Sequence, residues 1–222
     1  MLPSIIGPKS PASIMNTYRI DQTDARYPGV LSRLLGDEAP KTLWAIGNAY
    51  LLTGKSVALF CAPGCPNELA VHAYLLAQHL RHSSIALIGG FETPVEEEWL
   101  KISLESSQPI VMCPAREIDT MRIPEQCKIA LELGRLLILS PFSETGKAST
   151  QKIRYRDRMV AALADQTVVP YAEGDARSEE SFSEILKVWQ KPVFTFSNKS
   201  NKANHKLIAL GAQPIFPDHK FV

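Results

Sequence analysis

No charge of one sign dominates the 222 residues: 24 lysines and arginines face 23 aspartates and glutamates, for a formal net charge of +1. A global attraction to nucleic acid or to anionic membrane is thereby excluded, and any polyanion site has to be a local patch. Cysteine is scarce. Cys61, Cys65, Cys113 and Cys127 are too few for a disulfide framework, and three of them end or follow apolar runs, which fits a reducing compartment and predicts a cytoplasmic location. No apolar stretch reaches the length of a membrane span. Pro3, Pro8 and Pro11 surround only a short Ile5 and Ile6 step, so there is no signal-peptide core, and a soluble chain with no membrane association is expected. The glycine-rich dinucleotide fingerprint is missing as well. CAPGCP, at 61–66, lacks the GxGxxG spacing that lets a backbone approach a pyrophosphate, so ordinary dinucleotide binding is disfavoured and no cofactor is expected. Cys61 and Cys65 have no second pair at zinc-site spacing. They read as packing residues, and no metal site is expected.

What is present is enough apolar material, 45% of the chain, for one substantial core. Short apolar runs recur at 57–61 (VALFC), 85–89 (IALIG), 110–113, 136–140 (LLILS), 167–171 and 193–196, and they read as buried strands. Between them, 67–82, 94–104, 124–134, 153–163 and 179–189 carry helical spacing. Alternation of this kind predicts an α/β fold: a Rossmann-like parallel sheet with helices on both faces, because parallel strands need crossover connections. The expected organisation is a loose Pro- and Ser-rich arm over residues 1–20 and a single domain over 21–222, in which 21–54 forms a small helical and extended preface.

Ligands of such sheets sit beyond the C-terminal strand ends, where loops feed helix N-termini. The loop GGFETPVEEEW places Gly89 and Gly90 where a backbone can approach a ligand closely, and then opens a helix with Pro94, Glu96, Glu97 and Glu98. Acids in a first turn complement the helix dipole, while Glu92 or Glu96 as a ligand contact or general base is the alternative. His72, His79 and His82 share one helix without a partner motif and read as surface or packing residues.

The most informative local signal is KASTQKIRYRDRMVAALAD. Lys147, Lys152, Arg154, Arg156 and Arg158 gather just ahead of an apolar helix. Arginine forks bind phosphate oxygens bidentately, and a strand-to-helix loop would add a helix N-terminus to the same site. The alternative is a solvated basic face or an ion-pair network with Asp157, Asp165 and Asp175. A second basic, amide-rich patch follows the last run: Asn198, Lys199, Asn201, Lys202, Asn204, His205 and Lys206.

The order of these motifs resembles the DNA-processing protein A (DprA, or Smf) family over about residues 27–217. The family's opening YPxxLxxIxDPPxxLYxxG is echoed by Tyr27, Pro28, Leu31, Leu34, Asp37, Pro40, Leu43 and Gly47. Its VAIVGxR strand corresponds to 57–63, and its SGxAxGID loop to 89–96. The more specific likenesses are RNRxIAGLSD, at 156–165, and NxLIxxGA, at Asn204, Leu207, Ile208, Gly211 and Ala212. The resemblance implies single-stranded-DNA binding through a positively charged pocket without an established catalytic cycle, dimerisation to a homodimer, and transfer of DNA to the RecA recombinase in natural transformation. It points to Arg156 and Arg158, with Asn204 near the same face. The family's arginine, however, falls on Pro63, its glycine on Cys61, its serine on Gly89 and its aspartate on Glu96, while Glu179 and Glu180 stand in an eroded SGxLxTA segment.

The leading expectation is therefore a single-stranded-DNA-binding accessory protein of DNA processing, recombination or uptake, with phosphates held by the loops and bases lying against Tyr155, Tyr171 or Phe142. Two alternatives stand beside it. One is a nucleotide or nucleoside-phosphate binder or hydrolase, with Glu92 or Glu96 as acid/base, although no PGGxGTxxE segment is present. The other is an interaction module whose pocket has decayed.

Overall fold

Alternating side chains along each central strand decide the layering. Val57, Leu59, Leu87, Ile110, Leu136 and Ile138 point into one buried cluster, while their neighbours Ala58, Ile88, Val111, Leu137 and Leu139 point into another. A strand buried on both faces has to be covered by helices on both sides. The computed structural model describes residues 15–146, 148–172, 176–197 and 202–221. Its nine strands form one sheet, in the order β1-β2-β6-β5-β4-β3-β7-β8-β9. These are β1 (Tyr18–Asp21), β2 (Thr42–Gly47), β3 (Ser56–Leu59), β4 (Ala86–Gly89), β5 (Ile110–Met112), β6 (Leu136–Ser140), β7 (Gln166–Val169), β8 (Val193–Phe196) and β9 (Gln213–Ile215).

From β6 across to β9 every pairing is parallel. Helices α2 (Asn67–Leu80), α3 (Pro94–Leu104) and α4 (Glu125–Glu132) cover one face through Leu69, Leu76, Trp99 and Leu131. Helices α1 (Gly29–Leu35) and α5 (Thr150–Leu163) cover the other through Leu31, Leu35, Met159 and Val160. A third, smaller cluster lies beneath α6 (Ala176–Ser183), the π-helical turn Glu184–Val188 and α7 (Lys202–Leu210). Pro214, which has no N–H to donate, is tolerated because β9 is an edge strand.

The parallel sheet with helices on both faces is the architecture expected, with two corrections at one edge. β2 pairs antiparallel with β6, and β1 antiparallel with β2, so the expected preface is part of the sheet. The expected arm also loses its last residues to β1, where Ile20 is buried and the Tyr18 hydroxyl donates to the Gly47 carbonyl at 2.9 Å. Residues 1–14 lie outside the described residues. A further difference concerns α5, which begins at Thr150 because the Ser149 hydroxyl accepts from the Lys152 amide at 3.2 Å. The basic cluster therefore lies largely within the helix and not ahead of it.

The C-terminal end of α5 is closed by a side chain from another element. The Lys191 ammonium donates to the carbonyls of Ala161, Ala162 and Ala164 at 3.2, 2.7 and 2.6 Å, meeting the unpaired acceptors of the last turn. Lys191→Met is expected to lower stability by about 1–3 kcal/mol, since buried carbonyls are left without donors. The urea midpoint would shift while the slope of the transition stays unchanged; an unshifted midpoint refutes the capping role.

Candidate nucleic-acid site

The chain runs outward from β3 through β4 and β5 to β6, then returns to lay β7 on the other side of β3, so the topological switch lies between β3 and β7. This is the usual ligand crevice of an open α/β sheet. Here the loops leaving the two strands are bonded to each other, with the Ala62 amide donating to the Tyr171 carbonyl at 2.9 Å. Asn204 ties down the same region. Its fully buried amide accepts from the Ala172 N–H at 3.0 Å and donates to the carbonyls of Pro170 and Phe196 at 2.9 and 3.1 Å. The expectation that Asn204 holds phosphate is corrected by its burial: the side chain organises the loops from beneath.

Glu96 plays the corresponding part between β3 and β4. Its carboxylate, only 7% exposed, accepts from the Cys61 amide at 2.8 Å and from the Glu92 amide at 2.9 Å. Glu96 stands in the first turn of α3, as the helix-dipole reading expects, and its carboxyl in addition fixes two strand-end loops, a role that neither that reading nor the general-base reading includes. Phe91, between them, adopts φ 57, unusual for a residue with a side chain, and packs its ring against Gly89 while reaching the core. Burial raises the Glu96 pKa against the opposing pull of the two amides.

The two signature arginines do not act together. Residues two apart on an α-helix point about 200° from one another, so they cannot share one anion. Arg156, 3% exposed, turns inward. Its Nη1 donates to the Cys113 carbonyl at 2.7 Å, its Nη2 to Glu92 at 2.9 Å and its Nε to Asp157 at 2.6 Å. Gly90 makes room for it, since a Cβ there would stand 1.9 Å from Nη1. Arg158 faces the other way. It pairs with Glu184 at 2.7 Å and with Glu38, and lies 6.0 Å from the Trp189 ring centre. For both arginines the ion-pair reading of the cluster prevails, though the acids are Glu92, Asp157, Glu184 and Glu38. Asp165, expected among them, instead accepts from the amide and hydroxyl of Ser56.

The remaining candidates are distributed differently. Arg154 and Lys202 are exposed at the starts of α5 and α7, and Lys152 lies half-buried with its ammonium 5.4 Å from the Phe142 ring centre. Phe142 and Tyr155 form an edge-to-face pair at 6.0 Å, and Tyr171 packs against the core. Lys147, Asp175 and Lys199 lie outside the described residues. Gly89 is buried under Phe91, whereas Gly90 lines a cleft beyond β4 and β5. That cleft also contains Arg116 and Arg122, which no sequence motif marks although their loop follows a strand. His72 packs edge-on against Phe196, in keeping with a packing role. Burial pushes the Cys61 thiol far up and the Cys113 thiol up to about 12, so neither is a nucleophile at neutral pH. Among the described residues no three His, Cys, Asp or Glu side chains gather to hold a metal ion, and no helix is long and apolar enough to cross a membrane.

The sheet order and the helices on both of its faces define a Rossmann-like α/β protein. The chain belongs to the DNA recombination-mediator protein A family, whose model matches residues 19–221. Among solved structures, it is similar to DNA processing protein A from Streptococcus pneumoniae, with 19% identity, 93% of this chain and 74% of that one covered, and a TM-score of 0.76. It is also similar to DNA processing protein A from Helicobacter pylori, a structure that addresses that protein's single-stranded-DNA-binding mode, with 22% identity, 91% and 92% covered, and a TM-score of 0.73. A more distant likeness in fold is the molybdenum cofactor carrier protein of Chlamydomonas reinhardtii, with 16% identity, 74% and 92% covered, and a TM-score of 0.51. Comparison with curated proteins found no match.

The internal anion carries a pH signature. Because the folded-state pKa of Glu96 is raised, the native state holds its proton more tightly than the unfolded chain does. Between the ordinary carboxylate value of about 4.3 and the raised value, the native state binds more protons, so this group's contribution to stability falls as pH rises through that window. Chemical denaturation of Glu96→Gln across the window is expected to show a flatter pH dependence than the parent. Parallel curves would rule out Glu96 as the source.

Proposed function

We propose that the chain is a single-stranded-DNA-binding accessory protein of DNA processing, recombination or uptake. The observation that carries the reading is the presence of exposed cations in the loops and early helical turns that follow the parallel strands, in a chain of this family. Arg116, Arg154 and Lys202 are exposed there, and Lys152 stands over the Phe142 ring, which is itself edge-on to Tyr155. Cations follow a phosphate backbone and aromatic faces accept bases of any identity, a combination suited to sequence-independent strand binding. Arg156 and Arg158 serve this function by positioning the loops and α5, not by gripping phosphate. Two further parts of the reading come from the resemblance in sequence, a homodimer as the acting form and RecA as recipient of the strand; the family's description as a recombination-mediator protein is in keeping with the second. No catalytic step is assigned.

The test is binding of a labelled oligothymidylate over a salt series. Tight binding at low salt with a steep loss is expected, and Lys152→Gln with Arg154→Gln should flatten the dependence by roughly 0.7 for each phosphate no longer neutralised. No binding at low ionic strength sinks the reading. Sedimentation of the strand complex with and without RecA tests the partner: a ternary species is expected, and its absence removes RecA from the reading.

A further inference from the structure

We infer that Cys61 and Cys65 form an oxidation site, at which a small disulfide of the oxidised-glutathione class exchanges with the two thiols and leaves an intramolecular bond clasping the end of β3 to the start of α2. The inference is independent of the strand-binding reading.

The chain between the two cysteines is shaped to bring them together. Residues 62–65 read APGC and form a tight turn, with Gly64 at φ 73. Proline followed by a glycine of positive φ suits the central pair of a type II turn. The turn folds the chain back on the strand end, and a hydrogen bond links the Cys61 and Cys65 sulfurs. On the strand side the backbone is already anchored: the Cys61 amide donates to Glu96 at 2.8 Å and the Ala62 amide to the Tyr171 carbonyl at 2.9 Å. Neither bond uses a sulfur, so closure between the sulfurs leaves both in place.

Exposure sets the order of events. Cys61 is 5% exposed and Cys65 is half-buried, while Cys113 and Cys127 are buried. The oxidant therefore meets Cys65 first. The Cys65 thiolate attacks one sulfur of the small disulfide, whose S–S bond breaks and releases one small thiol. Cys61 then gives its proton to solvent and attacks the Cys65 sulfur, expelling the second small thiol. Two protein thiols are oxidised to one disulfide, and one small disulfide is reduced to two thiols.

The surroundings set the rate and hold the product. Burial, followed by the neighbouring Cys65 and the Glu96 carboxylate, pushes the Cys61 thiol far up, and burial raises Cys65 as well. The attacking thiolates are scarce at neutral pH, so exchange is slow there and quickens as pH rises. A disulfide carries no charge and suffers no such penalty from burial. Once closed, the clasp persists until a reductant reaches it.

The experiment treats the full chain with oxidised glutathione, quenches in acid, alkylates in denaturant and digests with trypsin. Both cysteines fall in one peptide, residues 56–81. It is expected two hydrogens lighter and unalkylated, with Cys113 and Cys127 alkylated. Closure should run roughly tenfold or more faster at pH 9 than at pH 7, because the thiolate fraction rises over that range, and dithiothreitol should reverse it. Cys61→Ser should stop at a glutathione adduct on Cys65. The oxidised parent should melt several degrees above the reduced one, since the bond restricts the unfolded chain. A parent that accumulates the Cys65 adduct without closing, or that closes only in denaturant, overturns the inference. Equal oxidation of Cys113 or Cys127 overturns it too, as does an oxidised chain that melts below the reduced one.

Discussion

One guanidinium holds the functional end of the sheet together. Arg156 reaches inward from α5, lies against the bare backbone of Gly90, and bonds at once to the carbonyl after β5, the acid after Phe91 and its own neighbour Asp157. A buried charge is tolerated only when paired and hydrogen-bonded, and each of these partners comes from a segment whose position the pairing then fixes. The two loops after β4 and β5 and the second turn of α5 therefore form one unit. Glu96 extends it to the end of β3, and Asn204 performs the equivalent task across the switch point. The three side chains most suggestive of ligand binding on composition are beams of the scaffold on which a ligand would rest.

Much of the architecture was legible because buried parallel strands leave a strong signature. VALFC, IALIG and LLILS can be apolar at consecutive positions only if both faces are covered, and the structure buries them on both. The antiparallel edge was less visible. β1 reads YRID, four residues with one buried side chain, and its pairing is set by β2, which is itself placed by β6 almost a hundred residues further on. Register of that kind is a tertiary fact. The π-helical turn at Glu184–Val188 is another, since a helix pattern in sequence does not disclose where one extra residue will be accommodated.

The site was legible in kind but not in assignment. Composition located the basic residues, and helical periodicity alone could have shown that Arg156 and Arg158 project to opposite sides, so a single phosphate grip by both was geometrically closed. What periodicity could not show is which side was buried, because the acids that settle it, Glu92, Glu38 and Glu184, are distant in sequence. Where the family signature carries asparagine between its arginines this chain carries Asp157, and the change adds a carboxylate to Arg156 itself. Arg116 and Arg122 escaped notice for the opposite reason. Each is an isolated cation in an irregular loop, and only the fold reveals that they line the same opening.

These placements determine how a polyanion would be held. A cation buried among carboxylates adds little field at the surface, because its partners cancel it within a few ångströms, inside the Debye length of about 8 Å at physiological ionic strength. Arg158, shared by Glu38 and Glu184, even leaves its neighbourhood acidic. In a chain with a net charge of +1, affinity for a strand would therefore come from side chains whose charge is not already matched, which among the described residues at the strand ends include Arg116, Arg122, Arg154, Lys152 and Lys202. Such groups are solvent-exposed and screened, so they favour a strand that is gripped lightly at several phosphates over one locked at a single buried arginine. That mode suits the proposed strand-binding function, and it follows from Arg156 having been committed to the fold.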